Sequence, residues 1–198
     1  MIIESYEYLA LVKPNEMVIA AVTDMKRRCE KKWGWPAVHS IPHFTVFNTI
    51  QFQQNHERLI KCLERNIENI VPFQINLYGF DYFTALTNTL YVNLTDQTEF
   101  AEMANYVKKI TKPVLKSVPG YPPHYTKNAH LTIAKGILKP EFSKAWPDWK
   151  NADYQASTNA DGILLLRRPF TRDRLKYEVV GSYPFLGKGI VDTQTSLF

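Results

Sequence analysis

One order of secondary-structure elements occurs twice in this 198-residue sequence. The hydrophobic pattern from Tyr6 to Ile50 predicts a strand, a basic amphipathic helix, a loop and a second strand. The same order recurs from Leu90 to Ile137. Two copies of a β-α-β unit predict two similar lobes around a shared core. The sequence therefore predicts a bilobal, pseudo-two-fold symmetric α+β domain over residues 1–186, followed by a C-terminal tail over residues 187–198.

The helix of the first unit has an apolar stripe. Steps of three and four separate its apolar residues, which are Val18, Val22, Met25, Cys29 and Trp33. The opposite face is predicted to be basic and solvated, with contact to RNA as the alternative. Its residues are Lys26, Arg27, Arg28, Lys31 and Lys32.

Each repeat ends in the same four-residue pattern. The first copy is His43-Phe44-Thr45-Val46, and the second is His130-Leu131-Thr132-Ile133. On a strand, residues two apart point to the same face, so each histidine shares a face with the threonine that follows it. The apolar residues of each copy point to the other face and are predicted to anchor the strand in the core. Two such patterns with apolar flanks arise by chance in about 0.2% of shuffled sequences, so we interpret the pair as functional.

Paired imidazoles and hydroxyls suit the cleavage of a phosphodiester. One histidine can act as a base that activates water, and the other as an acid that protonates the leaving oxygen. Two hydroxyls beside them can donate hydrogen bonds to the phosphate oxygens on which charge develops. If both repeats face one cleft, His43 and His130 are predicted to be catalytic. Thr45 and Thr132 are then predicted to bind the substrate phosphate.

The two motifs resemble the signature motifs of the two-histidine phosphoesterase superfamily, which includes bacterial 2'-5' RNA ligase-like proteins and cyclic nucleotide phosphodiesterases. The resemblance extends from Tyr6 to Phe185 in the order of the elements. It implies two α/β lobes whose antiparallel sheets line a central groove. It also implies metal-independent opening of 2',3'-cyclic phosphates, or cleavage or reversible joining of 2'-5' linkages in RNA. Lys135 departs from the family pattern, because relatives often carry there an arginine, whose planar fork can bind a phosphate at two points.

Five further residues are candidates for substrate binding. Lys135 follows the second motif and keeps a positive charge near the phosphate. Tyr121 and Tyr125 lie in the proline-rich loop before the second motif, where either ring could stack on a base. A stiff surface loop without such a role is the alternative. Arg168 belongs to a basic cluster on a predicted hairpin beside the groove, and Tyr183 in the last strand is predicted to line the groove.

These patterns together predict a phosphoesterase that hydrolyses 2',3'-cyclic phosphate or 2'-5' phosphodiester bonds of RNA or nucleotides. Reversible 2'-5' RNA ligation is an extension of the same chemistry. The predicted partner is an RNA or nucleotide that carries one of these bonds. A non-catalytic RNA- or nucleotide-binding module with the same groove is the main alternative. A structural α+β domain with coincidental motifs is the other alternative, and it predicts buried histidines that lie far apart.

Composition and residue spacing indicate which ligands, cofactors and cellular location to expect. The net charge of +5 suits an anionic ligand without requiring one. Cys29 and Cys62 form no CxxC pair, and the His39 and His43 pair lacks the acidic partner of a metal-binding helix, so no metal site and no cofactor are predicted. No apolar run approaches the roughly 18 residues of a membrane span. A cytoplasmic protein is therefore expected, and the sequence leaves its oligomeric state open, with a monomer compatible.

Overall fold

The computed structural model describes residues 4–35, 40–173 and 175–189. His39 and residues 190–198 of the predicted tail lie outside the described residues. The helices are α1 (Glu16–Trp33), α2 (His56–Asn66), α3 (Thr98–Thr111) and α4 (Lys139–Lys150). The strands are β1 (Ser5–Val12), β2 (Phe44–Phe52), β3 (Phe73–Thr84), β4 (Asn88–Leu94), β5 (His124–Tyr125), β6 (Leu131–Ile137), β7 (Gln155–Ala160), β8 (Gly162–Pro169) and β9 (Glu178–Pro184). Among the described residues, none of the helices has the length and apolar character of a membrane span.

Two antiparallel sheets form the framework of the domain. The first sheet has the strand order β5-β2-β1-β8-β9, and the second has the order β6-β4-β3-β7. Within them, β1-α1-β2 and β4-α3-β6 are the two predicted repeats, and each repeat supplies two neighbouring antiparallel strands. The predicted α+β class with antiparallel sheets is thus confirmed.

A bulge occupies the same place in both repeats. In each pairing the register shifts by one residue directly after the motif threonine. The extra residue is Val46 after Thr45 in β2, and Ile133 after Thr132 in β6. A bulge bends a strand and breaks its alternation, and here the extra residue and its successor are both buried. The pseudo-two-fold relation therefore extends to the local backbone of the two motif strands.

Each repeat sends its helix to the sheet of the other repeat. Helix α1 follows β1 but packs on β6 and β7, and α3 follows β4 but contacts β2. Phe44 of β2 and Phe100 of α3 are in contact, with ring centroids 6.0 Å apart. One continuous core contains buried side chains of both sheets, among them Phe44 and Leu131. Because the helices cross in this way, the two lobes share a core and are expected to unfold together.

The structure adds three elements that the sequence pattern does not predict. The short strand β5 lies in the predicted proline-rich loop, and α4 and β7 lie between the second motif strand and β8. Two prolines weaken the helical pattern of α4 in the sequence, because Pro140 lies in its first turn and Pro147 lies inside it. A proline is tolerated in a first turn, whereas inside a helix it usually ends the helix. Strand β7 consists of small and polar residues, which give a weak strand signal.

We expect Leu131→Ala to lower the free energy of unfolding by about 2–5 kcal/mol, the usual cost of truncating a buried leucine. Leu131 is 0% exposed in the shared core, so the loss should shift one cooperative transition. Urea unfolding followed by circular dichroism and by tryptophan fluorescence measures both properties. Leu138→Ala is the control, since Leu138 is 56% exposed and its replacement should change stability by at most about 0.5 kcal/mol. Two separate transitions would show that the lobes unfold independently.

Candidate active site

The two motif strands are anchored on one face and polar on the other. The apolar motif residues are all buried, and they are Phe44, Val46, Leu131 and Ile133. The polar motif residues are half-buried, and they are His43, Thr45, His130 and Thr132. Each strand therefore presents an imidazole and a hydroxyl together, as the alternation predicts.

Both motif histidines are held by the same backbone contact. The Nδ1 atom of His43 lies 2.7 Å from the carbonyl oxygen of Ile41, and that of His130 lies 2.9 Å from the carbonyl oxygen of Asn128. A carbonyl oxygen can only accept a hydrogen bond, so each Nδ1 carries a proton and donates. The other nitrogen, Nε2, is then unprotonated in the neutral ring. Each histidine can therefore accept a proton at Nε2, or donate one from that atom once it is charged.

All four polar motif side chains line one small cavity of about 160 Å³. This volume equals that of about five water molecules in the liquid. Lys26 of α1 and Lys135 of β6 are also in its lining, and residues 40–42 form the remaining wall. Among the described residues, no aspartate or glutamate lines this cavity. The cavity therefore gathers two imidazoles, two hydroxyls and two lysine side chains without a carboxylate, a lining that suits an anion.

Burial lowers the pKa of both motif imidazoles below the ordinary value of 6.5. The hydrogen bond from each ring to its backbone carbonyl opposes this effect. For His43, the positive charges of the two cavity lysines and of His130 lower the pKa further. An anion in the cavity would favour the protonated form of either ring, because it supplies the missing opposite charge.

Lys26 is a correction to the sequence prediction. Its charge predicts a position on the solvated face of the helix, but only 6% of its surface is exposed. It lies four residues after Val22 and three before Cys29, so helical spacing places it on the buried stripe. Its ammonium group donates a hydrogen bond to the carbonyl oxygen of Ser40, 2.6 Å away. Burial, and then the charge of Lys135, lower the pKa of Lys26 to about 8.

A larger groove of about 940 Å³ adjoins the small cavity and shares His130, Thr132 and Lys135 with it. The C-terminal end of α3 forms one wall, where Lys108 and Lys112 lie. The loop that contains β5 and the neighbouring ends of β3 and β4 supply the rest of the lining. The small cavity therefore opens beside a space that is large enough for a ligand extending beyond the cavity.

Two aromatic residues that the sequence pattern does not single out contact the ring of His130. The centroid of the Phe83 ring lies 4.8 Å from that of His130, and the centroid of the Tyr91 ring lies 5.1 Å from it. Tyr91 is opposite Thr132 in the pairing of β4 with β6. Burial, and then the charge of Asp81, raise the pKa of Tyr91 to about 12, so its hydroxyl stays protonated. The register of the sheet, which no local pattern specifies, brings these rings to the motif.

Two of the further candidates lie at the site. Lys135 lines both the small cavity and the larger groove. Tyr125 lines the groove, and its hydroxyl forms a hydrogen bond of 2.8 Å with the hydroxyl of Thr111. The Tyr125 ring also contacts Phe47, and the ammonium group of Lys108 lies 5.7 Å from its centroid. These contacts fix the position of the Tyr125 ring in the wall of the groove.

Three candidates lie elsewhere, and none of them lines the cavity or the groove. Tyr121 is exposed and packs edge-on against Phe170. Arg168 lies opposite Glu7 in the pairing of β1 with β8 and donates a hydrogen bond of 2.7 Å to its carboxylate. Tyr183 is buried in the core, because its side of β9 faces the interior. Cross-strand pairing of Arg168 and burial of Tyr183 thus place both side chains away from the cavity and the groove.

A family model described as the 2'-5' RNA ligase superfamily matches residues 14–170. No curated protein sequence matches the chain.

Several solved structures share the fold. The protein TT0787 of Thermus thermophilus is 16% identical, with a TM-score of 0.64 over 92% of this chain and 99% of that one. The protein LigT of E. coli, in complex with 3'-AMP, is 13% identical, with a TM-score of 0.59 over 92% of this chain and 99% of that one. Usb1 of Kluyveromyces marxianus is 10% identical, with a TM-score of 0.53 over 91% of this chain and 98% of that one. At such identities the likeness extends to the fold alone.

We expect the neutral rings of His43 and His130 both to carry their proton on Nδ1, because each Nδ1 faces a backbone carbonyl. The ¹⁵N NMR shifts of the two ring nitrogens distinguish the tautomers. Spectra recorded across a pH series should give titration midpoints below 6.5 for both residues, since burial disfavours the charged ring. The variants His43→Gln and His130→Gln assign the signals. A neutral ring protonated on Nε2 would contradict the hydrogen bond from Nδ1 to the backbone carbonyl. A titration midpoint above 6.5 would contradict the effect of burial on the pKa.

Proposed function

The chain belongs to the 2'-5' RNA ligase superfamily, and we propose that it is a phosphoesterase that hydrolyses 2',3'-cyclic phosphate or 2'-5' phosphodiester bonds of RNA or nucleotides. The observation that carries the proposal is the lining of the small cavity, where two imidazoles and two hydroxyls from matching positions of a repeat meet. The reaction needs no cofactor in this proposal, because the two imidazoles supply both proton transfers.

In hydrolysis, the neutral imidazole of one motif histidine takes a proton from water at Nε2 while the water oxygen attacks phosphorus. The charged imidazole of the other histidine gives its Nε2 proton to the ribose oxygen as the phosphorus–oxygen bond breaks. The products are a phosphomonoester and a free ribose hydroxyl, and proton exchange with solvent restores the pair. In ligation, the 5'-hydroxyl of a ribose takes the place of water: it gives its proton to the neutral imidazole and attacks the phosphorus of a 2',3'-cyclic phosphate. The bond from phosphorus to O3' breaks, the charged imidazole protonates O3', and a 2'-5' linkage remains. The same pair can therefore serve reversible ligation.

The other cavity residues would stabilise the phosphate in the transition state. The hydroxyls of Thr45 and Thr132 donate hydrogen bonds to the non-bridging oxygens, on which negative charge grows. The ammonium groups of Lys26 and Lys135 supply positive charge from α1 and β6, in a cavity that no described carboxylate lines. Because Lys135 is a lysine, it offers a compact charge and not the two-point contact of an arginine.

The structures of one neighbour support a phosphate-bearing ligand. LigT of E. coli has been solved with 3'-AMP, with phosphate, with ATP and with NADP+. Phosphate is common to all four ligands, and it is the group that the small cavity of this chain suits in charge and in hydrogen-bond donors. We therefore infer that this chain binds RNA or a nucleotide through its phosphate.

We expect His43→Ala and His130→Ala each to lower kcat for hydrolysis of a 2',3'-cyclic nucleotide by about 10²–10⁴-fold, the usual contribution of a general acid or base. Chromatographic separation of the cyclic substrate from the opened product measures the rate. Activity should survive EDTA, because no step of the proposed reaction uses a metal ion.

His56→Ala is the matched control for these two variants. His56 is half-buried at the start of α2 and lines neither the cavity nor the groove. Unreduced hydrolysis by both motif variants would contradict the two-imidazole reaction. If the unaltered protein binds nucleotides tightly but turns none over, the non-catalytic binding module becomes the better interpretation.

We expect Lys26→Met to lower kcat/KM about 10- to 100-fold, because a hydrogen bond to a charged group contributes about 1.5–3 kcal/mol. The charge of Lys26 is also one cause of the low pKa of His43, so its removal should move the pH optimum upward. The measurement is kcat/KM as a function of pH. Lys31→Met is the control, since Lys31 is exposed on the same helix. Unchanged kcat/KM with an unchanged pH profile would limit Lys26 to a structural role.

A further inference from the structure

We propose that the groove beside the small cavity binds the backbone of a single-stranded RNA, so that the substrate is a polynucleotide and not a mononucleotide. The inference rests on the proposed function of the cavity and specifies the class of its substrate. Three observations carry it: the continuity of the groove with the cavity, the charges on its walls and the aromatic rings in its lining.

The groove and the cavity are continuous. His130, Thr132 and Lys135 line both, so a phosphate held in the cavity has the rest of its chain directed into the groove. The volume of the groove, about 940 Å³, is near the upper end of the range of about 300–1,000 Å³ for pockets that hold a drug-sized ligand. The groove therefore has room for more than the one nucleotide whose phosphate reacts.

The walls of the groove carry positive charge without local neutralisation. Lys108 and Lys112 lie one helical turn apart at the end of α3, about 6 Å along the axis, and Lys127 lies in the loop after β5. Among the described residues, none of these three forms an ion pair, and no aspartate or glutamate lines the groove. A mononucleotide that reacts in the small cavity leaves no phosphate for these lysines, whereas successive phosphates of a strand supply several.

Two aromatic rings lie in the wall of the same groove, one exposed and one half-buried. Phe83 is 38% exposed although it is apolar, and it lies beside His130 at the junction with the cavity. The Tyr125 ring is fixed by its hydroxyl contact with Thr111 and lies next to Lys108. Bases stack on such rings with little sequence preference, and alternation of aromatic and basic side chains is typical of surfaces that bind single strands. The cyclic phosphate chemistry requires a ribose, which selects RNA over DNA.

The test compares two substrates with the same reactive end. One is a 2',3'-cyclic mononucleotide, and the other is a single-stranded RNA of about ten nucleotides that ends in the same cyclic phosphate. The variant Lys108→Gln/Lys112→Gln should lower kcat/KM for the oligonucleotide about 10- to 100-fold and leave the mononucleotide rate unchanged. The slope of log(kcat/KM) against log[salt] should also decrease by roughly 1 to 2, since each phosphate contact on a single strand contributes about 0.7.

Lys109→Gln is the matched control, because Lys109 lies between the two on α3, is exposed and does not line the groove. It should leave both rates unchanged, and circular dichroism of all variants checks the fold. An equal loss on both substrates, or no loss on the oligonucleotide, would overturn the proposal. So would an unaltered protein that hydrolyses the mononucleotide as efficiently as the oligonucleotide.

Failure of the proposed function gives a different result, namely no turnover of either substrate by the unaltered protein. In that case fluorescence polarisation of the labelled oligonucleotide still tests the groove. Tight binding that the double variant weakens and Lys109→Gln does not would support the RNA-binding groove. Binding that is equal in all three proteins, or absent, would overturn it.

Discussion

The site depends on the crossing of α1 from the sheet of its own repeat to the sheet of the other. Helix α1 packs on β6 and β7, so it lies beside the second motif strand, β6. The chain after α1 continues into the first motif strand, β2. This packing places Lys26 in the wall of a cavity that both motifs line. The shared core thus does more than stabilise two lobes, since it also fixes the relation of His43 to His130. A change that separated the lobes would remove the site.

The electrostatics of the cavity depend on the exclusion of water from its basic groups. Two imidazoles and an ammonium group are taken partly or wholly out of water in a cavity that no described carboxylate lines. Burial therefore lowers the pKa of all three groups, because it disfavours their charged forms. In the proposed function, a bound phosphate would reverse this balance, since it would provide the opposite charge that the described lining of the cavity does not.

The sequence predicts what is periodic and repeated, and it does not predict what depends on pairing between distant segments. Alternation along β2 and β6 is sufficient to separate the polar from the apolar motif residues. The buried position of Lys26 is not predicted, because its charge suggests a solvated residue. Its spacing from Val22 and Cys29 nevertheless places it on the buried stripe. Tyr91 reaches His130 only through the register of β4 with β6, and Arg168 is paired with Glu7 only through that of β1 with β8. Neither register is readable from one segment alone.

The two repeats supply the same motif but different surroundings, and this difference divides the work of the site. The first repeat contributes the buried cation, because Lys26 lies on its helix and faces His43. The second contributes the open side, because His130, Thr132 and Lys135 line both the cavity and the groove. The reactive phosphate would thus be enclosed by the first repeat and the rest of the substrate received by the second. In the proposed reaction, pseudo-symmetry would place two equivalent imidazoles at one phosphate, and departures from it would give the site a direction along its substrate.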